Sequence, residues 1–172
     1  MPEKGYIQVY TGNGKGKTTA ALGVSLRAVC AGNKVFIGQF MKGQGYSELK
    51  APDYLPNFKM EQFGDVNFVL GKPSEEDVAK AKSGLARMKE VLVSGEYDVV
   101  VFDEINTTLF FGMVTVDEVI EVLDMKPEKT EVILTGRYVP DEIINKADLV
   151  TEMGEVKHYF NAGVNARIGI EH

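Results

Sequence analysis

The chain has 172 residues, 44% of them hydrophobic and 26% charged, enough to bury a self-sufficient core in one domain spanning residues 1–172. Its formal net charge of −6 argues against a general electrostatic grip on nucleic acid. No apolar run approaches the roughly 20 residues that cross a bilayer, and Met1-Pro2-Glu3-Lys4 leaves no room for a signal peptide, so a cytoplasmic protein without a membrane partner is expected.

Short apolar runs alternate with amphipathic helices, the pattern of a parallel sheet covered by helices. The first run, Tyr6-Ile7-Gln8-Val9-Tyr10, passes into the glycine-rich segment Gly12-Asn13-Gly14-Lys15-Gly16-Lys17-Thr18 and then a helix from about Lys17 to Ala31. Leu22, Leu26 and Val29 lie on one face of that helix at helical spacing. Cys30, near its end, is the only cysteine; this excludes an intrachain disulfide and a thiolate metal cage, and the side chain reads as small, apolar and buried. Gly32-Asn33 ends the helix, and the next strand is Lys34 to Phe40. Residues 41–57 read as loop, followed by a short strand from Phe58 to Phe63.

Ser74 is the expected N-cap of a helix with Glu75, Glu76 and Asp77 in its first turn and a core stripe of Val78, Ala81, Leu85, Met88 and Leu92. The continuous run Tyr97 to Phe102 ends in Asp103-Glu104 and suits a central strand buried on both faces. Thr115 and Glu118 can form a capping box for a helix carrying Val116, Val119, Ile120 and Leu123. A strand from Glu131 to Thr135, a helix near Pro140–Lys146 and a strand near Asp148–Met153 complete the pattern. The expected fold is α/β: a three-layer, mostly parallel sheet of the P-loop NTPase-like (RecA-like) kind with helices on both faces.

The glycine segment carries the chemistry. A strand, a glycine-rich turn and a helix start place backbone amides and the positive helix end around a phosphate. Lys17 then reaches the phosphates and the Thr18 hydroxyl binds magnesium. The usual pattern is G-x-x-x-x-G-K-[ST], and Thr11 stands where its first glycine belongs. Asp103, at the carboxyl edge of a buried strand, is the expected metal partner of Thr18. Glu104 is a candidate base or outer metal ligand. Arg137, ending a strand at the same edge, can meet phosphate or pair with an acid, and Arg27 on the first helix can turn toward the nucleotide. Phe110 and Phe111 can be core or pocket wall. His158 and His172 are too few for a histidine metal site, and His158 reads as structural. From these residues a hydrolase, a kinase and a group-transfer enzyme all remain open.

The motifs in series resemble the P-loop type of ATP:corrinoid adenosyltransferase. The matching segments are Thr11 to Ala21 (with Thr19), Gln39-Phe40-Met41-Lys42-Gly43, Val101-Phe102-Asp103-Glu104, Leu134-Thr135-Gly136-Arg137, Ala147 to Met153, and a tail from Lys157-His158 through Ala162-Gly163-Val164 and Ala166-Arg167 to Gly169-Ile170-Glu171. The resemblance implies transfer of the 5′-deoxyadenosyl group of ATP to the cobalt(I) of a corrinoid such as cobalamin, with Mg2+ or Mn2+ on the triphosphate and an off-pattern Thr11. It implies too a homodimer, a flavoprotein reductase as possible partner, and an aromatic residue that replaces the corrinoid's lower ligand. In Phe63-Gly64-Asp65-Val66-Asn67-Phe68 that residue is Phe68, since the chain has no tryptophan. An N-terminal helix, which similar proteins can carry over the site, is not expected.

Overall fold

Each apolar run becomes a strand of one sheet in a computed structural model of the chain, which describes residues 3–43, 45–65 and 71–172. The strands are β1 (Ile7–Thr11), β2 (Val35–Gln39), β3 (Phe58–Gln62), β4 (Val99–Asp103), β5 (Glu131–Thr135) and β6 (Leu149–Glu152). They run in the order β3-β2-β4-β5-β1-β6, and every pairing is parallel. The helices are α1 (Lys17–Cys30), α2 (Ala51–Tyr54), α3 (Glu75–Val93), α4 (Ile105–Phe110), α5 (Val116–Asp124) and α6 (Asp141–Lys146). All strands therefore point their carboxyl ends at one edge. There β5 separates the strand that feeds the glycine loop from the strand that ends in Asp103.

The pleat sorts the core into two layers. Val9, Phe36, Val100, Phe102, Val132 and Leu134 face α3 through α6, whereas Tyr10, Ile37, Val99, Val101 and Ile133 face α1. β4 is buried along its whole length, as its unbroken apolar run requires. The predicted stripe of α3 holds, with Val78 only partly buried at its start.

α1 corrects the sequence reading. It buries Ala21, Ser25 and Ala28, while Leu26 is 49% exposed and Leu22 and Val29 are only partly buried. Small side chains let the helix lie close on the sheet, and the Ser25 hydroxyl is satisfied by the Ala21 carbonyl at 2.7 Å. The same rotation leaves Cys30 exposed rather than buried. Residues 41–57, expected as loop, contain a short 3-10 turn (Ser47–Lys50) and α2. α4 was not legible either, because Glu104 enters it from a left-handed backbone (φ 63°) and Asn106-Thr107-Thr108 are weak helix formers.

Two glycines open a slot beside the sheet's carboxyl edge. A Cβ on Gly38 would lie 2.2 Å from Met88 Sδ and 2.7 Å from the Phe63 ring, and one on Gly84 would lie 2.6 Å from Phe63 Cβ. Phe63 fills the slot and meets Phe40 edge-on at 5.4 Å. Gly38→Ala should therefore cost about 1–3 kcal/mol by overpacking. Urea unfolding should show a lower midpoint at unchanged slope; an unchanged midpoint would mean that Met88 and Phe63 can yield.

Candidate active site

The off-pattern Thr11 has a structural reason. It is the last residue of β1, paired with Glu152, and its carbonyl accepts from the Met153 amide at 2.9 Å. The strand thus continues through the position where the usual loop already turns, and the turn begins at Gly12 (φ 95°). A Cβ on Gly12 would lie 2.4 Å from the Met153 carbonyl oxygen. The Gly14 amide donates to that same oxygen at 2.8 Å. The chain leaving β6 therefore braces the loop, and only glycine permits so close an approach.

α1 starts from this loop with no side-chain cap and no acid in its first turn. α5 carries the predicted capping box, Thr115 with Glu118, and the predicted N-cap of α3, Ser74, forms a capping box with Asp77. The contrast is informative. Unsatisfied amides at a helix start suit an anion, and α1 is the longest of the four described helices without a side-chain cap and the one that opens from the glycine loop. Lys17 is buried, and its ammonium donates to the Gly12 and Gly14 carbonyls, each at 2.8 Å. Burial holds its pKa below the ordinary lysine value.

Asp103 is fully buried at the end of β4. Its Oδ1 accepts from the hydroxyls of Thr18 (2.8 Å) and Thr135 (2.6 Å). Its Oδ2 accepts from Lys42 Nζ (2.7 Å) and Gln39 Nε2 (3.2 Å). Thr135 also accepts from the Glu104 amide at 2.9 Å, so β5, lying between β4 and β1, supplies the bridge. The Glu104 carboxyl accepts from the Thr107 hydroxyl at 2.6 Å. Burial and then the neighbouring Asp103 charge raise its pKa above the usual carboxylate range.

Beside this network lies a cavity of about 460 Å³ lined by Lys15 to Thr19, Lys42, Tyr46 to Glu48, Glu104 and Gly169 to His172. The tail closes one side. Glu171 Oε1 accepts from Lys15 Nζ at 2.7 Å and also holds Arg167 and the Tyr159 hydroxyl. The hydrogen bonds from Arg167 first, then Lys15, keep the Glu171 carboxyl far below its usual range.

A family model described as ATP:corrinoid adenosyltransferase BtuR/CobO/CobP matches residues 3–172. The chain belongs to this family. It is 38% identical over 173 residues to the corrinoid adenosyltransferase of Escherichia coli (strain K12), across 99% of this chain and 87% of that protein. The corrinoid adenosyltransferase CobA of Salmonella typhimurium is likewise 38% identical over 173 residues, with the same shares of each chain. A corrinoid adenosyltransferase of a Sinorhizobium species is 37% identical over 182 residues, covering 98% and 81%. Among solved structures, the flagellar accessory protein FlaH from Methanocaldococcus jannaschii superposes with a TM-score of 0.59 at 15% identity, over 87% of this chain and 71% of that one. That likeness concerns the fold alone.

Of the family-type site residues expected from sequence, the structure brings together the Gly12–Thr19 segment, Asp103, Glu104 and Arg137, whose guanidinium donates to the Asn13 carbonyl at 3.2 Å. Arg27 is not brought in. It is exposed in the last turn of α1, ten residues and so about 15 Å along the helix from Lys17. Phe68 lies outside the described residues. Phe111 packs on the core, while Phe110 is 56% exposed and stacks on Tyr138 at 4.2 Å. His158 is structural: its Nδ1 accepts from the Phe160 amide at 3.0 Å and caps the turn Tyr159–Ala162.

Gln39, Lys42, Thr135 and Glu171 were not given roles by the sequence reading. Gln39 and Thr135 end strands and Lys42 lies three residues beyond β2, all at the edge where the glycine loop lies, and that placement could have found them. Nothing in the tail's composition signals that it folds over Lys15. Removing the bridging hydroxyl with Thr135→Val should cost about 1–3 kcal/mol, because a buried charge loses a donor. Equilibrium denaturation of the isolated protein measures this, and a neutral result would show that Asp103 finds another partner.

Proposed function

We propose that this chain transfers the 5′-deoxyadenosyl group of ATP to the cobalt(I) of a corrinoid and releases triphosphate, the reaction of adenosylcobalamin biosynthesis or salvage. The carrying observation is the coincidence of a family match over residues 3–172 with an assembled phosphate cradle. Cobalt(I) supplies the electron pair for the new bond to C5′, and the C5′–O bond breaks with its pair going to the triphosphate. No water has to be activated. The protein's work is to align C5′ and to stabilise charge accumulating on the leaving group. Lys17 and the free amides of α1 are suited to that charge, and Arg137 adds a cation at the rim.

Magnesium belongs to the proposal. Its hard oxygen donors would be Thr18 and Asp103, with Glu104 nearby, and the ion would neutralise charge on the phosphates. The donor set fits: the Thr18 hydroxyl lies 2.8 Å from Asp103 Oδ1, and Asp103 Oδ2 already holds one cation, the Lys42 ammonium. Among the described residues no cluster of three or more His, Cys, Asp or Glu could cage a metal alone, which suits an ion completed by phosphate and water.

Further elements of the proposal are Phe68 as the group that replaces the corrinoid's lower ligand, a reductase that delivers cobalt(I), and one domain over residues 1–172. A homodimer would have a surface available in β6, an edge strand whose Leu149 and Val150 are exposed. A cytoplasmic location is also part of the proposal; among the described residues no helix is long and apolar enough to cross a membrane.

A magnesium-dependent ATPase or kinase is the alternative. Glu104 is the observation in its favour, since a carboxyl of raised pKa beside the cavity is a reasonable base. Incubation with magnesium, ATP and chemically reduced cobalamin separates the two. Triphosphate release with the spectrum of a cobalt–carbon bond is expected; free phosphate without alkylation would reject the transferase. Lys17→Ala should lower ATP affinity and turnover together, by about 100-fold or more in kcat/KM. Phe68→Ala should slow alkylation while ATP affinity by calorimetry stays the same; an equal loss of both would make Phe68 a core residue.

A further inference from the structure

Lys42 is held in place more firmly than a side chain forming an incidental ion pair needs to be. It follows Met41, a non-glycine residue at φ 58° two residues beyond β2, a backbone state that persists only when its surroundings enforce it. Those surroundings are visible. The Gly64 amide donates to the Lys42 carbonyl at 3.0 Å. A Cβ on Gly64 would lie 2.3 Å from the Lys42 nitrogen, and one on Gly43 would lie 2.5 Å from the Asp65 backbone. The result aims the ammonium at Asp103 Oδ2 (2.7 Å) and over the Tyr46 ring (5.1 Å). The side chain is only 12% exposed and lines the same cavity as Lys17 and Thr18.

A carboxylate has about four acceptor positions, and Asp103 fills them with Thr18, Thr135, Gln39 and Lys42. Thr135 and Gln39 are fully buried within neighbouring strands. Thr18 and Lys42 are the two donors that face the cavity. A divalent cation arriving at Asp103 can keep the Thr18 oxygen as a ligand, but it repels an ammonium and competes for the same oxygen.

We propose that Lys42 is an exchangeable cation: it neutralises Asp103 while the site is metal-free and, once a divalent ion takes Asp103, turns into the cavity to bind the nucleotide's triphosphate. Lys42 then acts as a second triphosphate lysine beside Lys17, and metal and triphosphate reinforce each other through it. This rests on the cavity being a nucleotide site but not on adenosyl transfer, so it is tested by binding alone.

Mn2+ titrated into nucleotide-free protein is followed by the paramagnetic resonance of the free ion, and ATP affinity is measured by calorimetry with Mg2+ present. Lys42→Met should bind Mn2+ about tenfold more tightly, with its competitor gone, and bind ATP with Mg2+ about tenfold more weakly. Lys42→Arg should restore the ATP affinity. Unchanged Mn2+ affinity, or unchanged ATP affinity, in a folded Lys42→Met protein would overturn the exchange and leave a structural ion pair. The unmodified chain gives a check that needs no methionine variant. Mg2+ alone should move the Lys42 ammonium nitrogen resonance, assigned by its loss in Lys42→Arg, and a resonance that does not move overturns the proposal. Failure of ATP to bind the unmodified chain at all would instead reject the nucleotide site.

Discussion

A buried carboxylate is costly unless every acceptor position is met, and the whole carboxyl edge of the sheet is organised around meeting those of Asp103. Its partners come from α1 (Thr18), the end of β2 (Gln39), the residues just after β2 (Lys42) and the end of β5 (Thr135). No two of these are adjacent in sequence. A shift of β5 relative to β4 would strip Asp103 of Thr135 and the Glu104 amide of its acceptor together. The network thus sets the register of strands and the position of the glycine loop through one charge.

Strain collects at the same edge. The three non-glycine residues with positive φ among the described residues are Met41, Glu104 and Tyr138. Glu104 directly follows β4, Met41 lies two residues beyond β2, and Tyr138 lies three residues beyond β5. At two of these exits the chain turns toward the cavity, which Lys42 and Glu104 line, whereas Tyr138 is 51% exposed. A cost of order 1–3 kcal/mol at each is tolerable because the buried core behind them is continuous across both faces of the sheet.

The layers were readable because their signals are local. Apolar runs, continuous in β4 and alternating in β3, marked the strands, and Ser74 and the Thr115–Glu118 pair marked two helix starts correctly. Errors arose where size rather than polarity decided burial: on α1 the sheet selects Ala21, Ser25 and Ala28 over Leu22, Leu26 and Val29. In the site, Lys17, Thr18 and Asp103 were legible because a glycine loop and a strand end are short motifs. Gln39, Lys42 and Glu171 were not, since their partners lie 64, 61 and 156 residues away and only the fold makes them neighbours. Arg27 erred in the other direction, chosen for its charge on a helix whose far end it occupies.

The cations around the cavity share one property. Lys17 rests on the Gly12 and Gly14 carbonyls, Lys42 on Asp103, Lys15 on Glu171 and Arg137 on the Asn13 carbonyl. None is idle, so anion binding is an exchange of internal partners for ligand oxygens, and the net gain per contact is well below its gross strength. An anion with little charge cannot displace several cations at once, whereas a triphosphate presents enough oxygens to satisfy them together. On the proposed function, selectivity for a polyphosphate would follow from this paired resting state. The same reasoning favours a leaving triphosphate, because cations already turned toward it hold the charge that bond cleavage adds.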